Sequence, residues 1–99
     1  MPLRSMIVAS ALMVATLSTA SADTFEPNMN RPGGDYKNFE VRSPDDCQTG
    51  CLQDVRCKAW TWVKKGIQGP AARCWLKTSQ PAPVPDKNCV SGRKGGSTL

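Results

Sequence analysis

The stretch SPDDCQTGCLQDVRC, residues 43–57, decides the fold: its three cysteines, Cys47, Cys51 and Cys57, fall four and then six residues apart behind a strong helix start. The Ser43 hydroxyl is placed to cap free backbone donors, and Pro44 suits the first helical position. Asp45 and Asp46 set negative charge at the positive end of the helix dipole. A helix running to about residue 54 sends the sulfurs of Cys47 and Cys51 off the same face, one turn apart. That face must be the buried one.

Downstream the period changes from helical to two. In residues 57–64, CKAWTWVK, alternation sets Cys57, Ala59, Thr61 and Val63 on one side and Lys58, Trp60, Trp62 and Lys64 on the other. After the Gly/Pro-containing connection KGIQGPAA, the segment RCWLK at 73–77 reads as the partner strand, with Cys74 and Leu76 on one face and Trp75 on the other. Residues 36–41, YKNFEV, suit a short strand, and residues 88–93 a closing one. Between them Pro81, Pro83 and Pro85 predict an extended passage without ladder hydrogen bonds. Upstream, Pro27, Pro32 and the Gly33-Gly34 pair break a polar segment that reads as a linker or a pinned N-terminal arm.

Residues 1–22 read as a secretory signal. Arg4 supplies a positive start, residues 6–17 an apolar run too short to span a bilayer, and Ala20, Ser21 and Ala22 a small-residue cleavage site. The expected organisation is therefore a signal peptide at 1–22, a linker at 23–31, one domain at 32–94 and a disordered tail at 95–99. After cleavage 77 residues remain, with a net charge of about +4 and no histidine. So short a chain buries a limited core, and five cysteines in an exported protein point to disulfides in an oxidising compartment, secreted or periplasmic. Export and the mixed, moderate charge, which makes no concentrated basic stripe, both weigh against a nucleic-acid role.

A zinc site wants paired short spacings such as C-x2-C, usually with histidine, and a redox pair wants C-x-x-C at a helix start. Neither occurs, so no metal or cofactor is expected. If the helix lies across the sheet, one of its cysteines should reach a strand and the other should clip the chain where it leaves the helix. Reach then suggests Cys51–Cys57 for the clip and Cys47–Cys74 for the tie to the sheet.

C-x3-C-x5-C at the end of a capped helix, followed by KAWTWV and then RCWLK, resembles the PAN/Apple domain, and the chain from about residue 32 to 93 looks like its short bacterial form. The resemblance implies an α+β fold: a small, disulfide-stabilised, curved antiparallel β-sheet cradling one α-helix. It also implies two helix-to-sheet bridges that map onto Cys47–Cys74 and Cys51–Cys57, and a role in protein–protein or protein–carbohydrate contacts. The fuller Apple pattern has a further bridge between the domain ends. Cys89 sits where its C-terminal member belongs, but no cysteine between residues 23 and 46 can pair with it, so Cys89 is left over as a buried free thiol, a link to another chain or a reactive thiol.

If Cys57 and Cys74 both face the helix, alternation sends Trp60, Trp62 and Trp75 to the opposite face beside Lys58, Lys64, Arg73 and Lys77. Indoles among cations make a candidate ligand face suited to an acidic polysaccharide or acidic protein patch. The competing reading is that the N-terminal arm or the Pro-rich crossover covers those tryptophans. Nothing resembles a catalytic set: there is no histidine, and Asp45 and Asp46, adjacent on a helix, diverge by about 100° and are explained by capping. The expected function is a secreted, non-catalytic binding module for a protein or carbohydrate ligand. The alternatives are a small cationic inhibitor or toxin-like protein, or an envelope component crosslinked through Cys89.

Overall fold

The computed structural model describes residues 22–95. The expected signal segment lies outside the described residues apart from Ala22, as does the expected tail apart from Gly95. Five strands form one antiparallel sheet: β1 (Glu26–Asn30), β2 (Asp35–Glu40), β3 (Ala59–Val63), β4 (Arg73–Lys77) and β5 (Val84–Arg93), in the order β1-β5-β3-β4-β2. One helix, α1 (Pro44–Leu52), packs over β3 and β4. This is the small α+β sheet-and-helix architecture with two disulfides that the sequence leads one to expect.

The helix starts as its sequence requires, with the Asp46 amide donating to Ser43 Oγ at 3.2 Å and Pro44 in the first turn. It ends at Leu52, two residues before the expected end. Cys47 and Cys51 are fully buried. Cys47 is bonded to Cys74 in β4 and Cys51 to Cys57 beyond the helix, with Cα separations of 5.3 and 5.2 Å. Together with Trp60, Cys74 and Leu76 these sulfurs make the core, edged by Tyr36, Phe39, Val41, Trp62 and Val90.

The expected parity of β3 is reversed. Trp60 stands opposite Leu76, and Trp62 opposite Cys74, so both indoles share the helix-covered face with the bridge. Cys57 precedes the strand: its amide closes a turn onto Asp54 O, and ladder geometry starts only at Ala59. Alternation counted from Cys57 therefore falls out of phase. Trp60 is 1 % exposed, and its ring lies against Gly92 across the ladder, where a Cβ would come within 2.7 Å of the indole.

Residues 23–31, read as a linker, hold β1, which pairs with β5 through Glu26↔Ser91 and Asn30↔Val84. Its breakers are accommodated by a register shift between Pro27 and Met29, with Asn28 in the left-handed region at φ 61°. The Pro-rich passage is likewise partly strand, because β5 begins at Val84 and includes Pro85. At that end β5 is laddered only to β1, leaving one side free of the demand for a Pro85 N–H.

β1 and β2 lie at opposite edges of the sheet, so residues 31–34 cross it as a strap over the face away from the helix. Gly33 and Gly34 take positive φ values of 104° and 73° to make that crossing.

The two bridges close loops of different length, spanning 27 and 6 residues of sequence separation. Chain entropy assigns about 3.5 kcal/mol to the longer and about 2 kcal/mol to the shorter. The paired variant C47A/C74A should lower the urea midpoint further than C51A/C57A. Equal midpoints in equilibrium denaturation would contradict this order.

Candidate functional site

The strap is held by a buried arginine. Arg31, 6 % exposed, donates from Nε and Nη2 to the two carboxylate oxygens of Glu26 at 2.8 Å each, and from Nη1 to Pro81 O at 2.7 Å. Its own amide donates to Thr61 Oγ1 at 3.3 Å. Ser91 Oγ donates to Met29 O at 2.8 Å, so in the Thr61–Ser91 hydroxyl contact, also 2.8 Å, Thr61 is the donor. β1, β3, β5, the strap and the Pro-rich segment are thus joined by one set of satisfied polar groups.

The seven residues expected to share one ligand face are divided among four environments. Trp60 is core. Trp62 is half-buried on the helix side, next to Lys64 at the end of β3. Arg73, Trp75 and Lys77 point to the opposite face, as their own alternation requires, because Cys74 and Leu76 between them belong to the core. Lys58 is exposed just before β3, where its amide donates to Lys77 O and its carbonyl accepts from the Lys94 amide. The single platform of three indoles and four cations is therefore corrected to two smaller sites. Of the three tryptophans, Trp60 is fully covered, by the core, by Gly92 and, as the competing reading expects, by the N-terminal arm, whose Phe25 packs on it at a centroid distance of 5.7 Å.

The first site is an apolar groove of about 640 Å³ on the helix side. Its walls are Val41, Trp62, Pro70, Ala71 and Ala72, and Arg42, Lys64 and Lys65 form its rim. No carboxylate lines it. The Trp62 Nε1 is buried and has no hydrogen-bond partner among the described residues, a defect that costs about 1–3 kcal/mol where it occurs.

The second site is a hollow of about 300 Å³ on the opposite face, under the strap. Trp75 forms one wall, its Nε1 donating to Gln68 Oε1 at 2.8 Å. Lys77, only 2 % exposed, lies in the floor and donates to Asp35 Oδ1 at 2.5 Å and to Gly33 O at 3.1 Å. Its burial had no signal in the sequence, where RCWLK reads as ending on a solvated cation. Arg73 is outside the hollow, donating to Asn38 Oδ1 at 2.7 Å.

Cys89 also borders the hollow and is a buried free thiol. Burial, with the Asp86 carboxylate second, pushes it up to about 11. At neutral pH it is therefore a covered, protonated sulfur and a poor nucleophile. No group of three or more His, Cys, Asp or Glu side chains among the described residues is placed to hold a metal ion.

Set against known families, residues 29–77 match the model of the PAN domain. A PAN/Apple-like domain fold is present. No curated protein matches the chain. The matched PAN region contains both bridges, α1 and β2 to β4, whereas β5, Cys89 and most of β1 lie outside it. The groove's lining falls wholly within the PAN region, and the hollow draws Asp86, Asn88 and Cys89 from β5 beyond it.

Stability of this domain should fall on both sides of neutrality. The Arg31 guanidinium holds Glu26 below its ordinary 4.5, a contribution fully present above pH 4.5 and lost as pH falls through the folded value. Burial raises Cys89 from 9.0 to about 11 and Tyr36 from 10.0 to about 12, so stability present below pH 9 is lost as pH rises through 11 and 12. Urea midpoints measured across pH should show both declines, and Cys89→Ala should flatten the onset between pH 9 and 11. An alkaline limb unchanged by that substitution would contradict the assignment.

Proposed function

We propose that this chain is an exported, non-catalytic binding module, secreted or periplasmic after removal of residues 1–22, and that its contact site is the Trp62 groove. The PAN fold supports a general protein- or carbohydrate-binding role. The observation that carries the choice of site is the conjunction of an apolar groove, a half-buried indole wall and three rim cations with no carboxylate among the lining residues. Arg42, Lys64 and Lys65 make no side-chain ion pair or hydrogen bond among the described residues, so a ligand with acidic groups meets charges that are not already neutralised. The indole and the alanine and proline walls supply the apolar contact that gives such a ligand its residence.

The absence of a histidine from the whole chain and the capping role of the helix acids favour recognition over catalysis. The envelope-crosslinking alternative needs an accessible sulfur, and Cys89 is 5 % exposed. No helix among the described residues is long and apolar enough to cross a membrane.

A glycan array and an affinity pull-down with the oxidised protein test the reading. Acidic ligands should be retained, and both Trp62→Ala and the charge reversal K64E/K65E should weaken retention by about tenfold or more, equivalent to about 1.4 kcal/mol each. Retention unaffected by either variant would move the site elsewhere.

A further inference from the structure

The hollow under the strap has a chemistry opposite to that of the groove. Lys77 is a charged side chain almost wholly removed from solvent, and an ammonium carries three N–H donors. Two are spent, on Asp35 Oδ1 and Gly33 O. The third has no partner among the described residues, and Lys77 lines the hollow. A buried donor without an acceptor is costly, so the floor of this hollow calls for a ligand oxygen.

The remaining lining narrows the kind of oxygen. Asp35 and Asp86 face the hollow against the single charge of Lys77, so its lining is net negative by one charge. A carboxylate, sulfate or phosphate placed there would answer Lys77 but meet two like charges. A hydroxyl accepts from Lys77 and has a proton of its own for a carboxylate, which an anion lacks. Asn30 and Asn88 add amides that both donate and accept, and Trp75 supplies a flat apolar wall whose orientation is already fixed by its bond to Gln68. Vicinal hydroxyls on a ring with an apolar face satisfy all of these groups together.

We propose that this hollow is a binding site for one uncharged pyranose ring, separate from the Trp62 groove and independent of the acidic ligand assigned there. Its volume, about 300 Å³, lies at the small end of ligand sites, which favours a single sugar unit over a long chain. The strap forms part of its wall through Pro32 and Gly33, so the Arg31–Glu26 clamp holds the site in shape from outside it.

The test is titration of the oxidised protein with the methyl glycosides of glucose, galactose and mannose, and with methyl glucuronide as the charged analogue, followed by NMR of the indole N–H signals. At least one neutral glycoside should shift the Trp75 signal at millimolar concentration, and the glucuronide should bind several-fold more weakly than the matching glucoside. Trp75→Ala should weaken the response about tenfold, and Lys77→Met comparably. Because Lys77 is buried, a Lys77 variant that fails to fold is replaced by Asp86→Ala, which removes a hollow carboxylate and should also weaken the neutral sugar. No shift with any neutral glycoside, or stronger binding of the glucuronide, would overturn the proposal. A sugar response abolished by Trp62→Ala and untouched by Trp75→Ala would also overturn it while leaving the groove as the contact site.

Discussion

The Cys47–Cys74 bridge joins the first turn of the helix to the second strand of the central hairpin, and so determines which side of the sheet the helix covers. In a strand, choosing the inward residue chooses every other one. With Cys74 inward, Leu76 follows it into the core, and Arg73, Trp75 and Lys77 are left to the opposite face. The ladder then carries the choice across to β3, where Trp62 stands opposite Cys74 and Trp60 opposite Leu76. One covalent contact thereby separates the indoles into a core residue, a groove wall and a hollow wall.

A domain with so few large apolar side chains cannot leave either sheet face bare. The helix and its sulfurs close one face; the other is closed by polar chemistry, because the strap brings Arg31 to Glu26 and Pro81 and puts Lys77 under Gly33. Buried charges persist only when paired and hydrogen-bonded, and both cations meet that condition through carboxylates contributed near the strap's two ends, Glu26 and Asp35. The two faces consequently offer different recognition chemistry. On the helix side, cations ring an apolar groove; under the strap, a buried Lys77–Asp35 pair, the Asp86 carboxylate and neutral polar groups surround a small hollow.

Much of this is legible in the sequence. Ser43, Pro44, Asp45 and Asp46 each satisfy a separate requirement of a helix start, and their agreement is why α1 begins where expected. RCWLK alternates cleanly from its first residue to its last, so Trp75 is correctly oriented. CKAWTWVK alternates just as cleanly, but its first two residues precede the strand, Cys57 closing a turn onto Asp54, and periodicity carries no mark of where a strand begins. β1 was hidden because Pro27 and Asn28 are breakers locally, while the strand is made by its pairing to β5 about sixty residues away. Lys77 reads as a surface cation for the same reason, and nothing local singles out Arg31: their carboxylate and carbonyl partners converge only when the strap crosses the sheet.

The most direct test of the account is peptide mapping of the oxidised protein under non-reducing conditions. The result expected is a Cys47–Cys74 crosslinked peptide, a Cys51–Cys57 loop and a Cys89 peptide carrying a free thiol. Cys89 bridged to any of the other four, or Cys47 bonded to Cys51 or Cys57, would put the helix on no defined face and contradict the separation of groove from hollow.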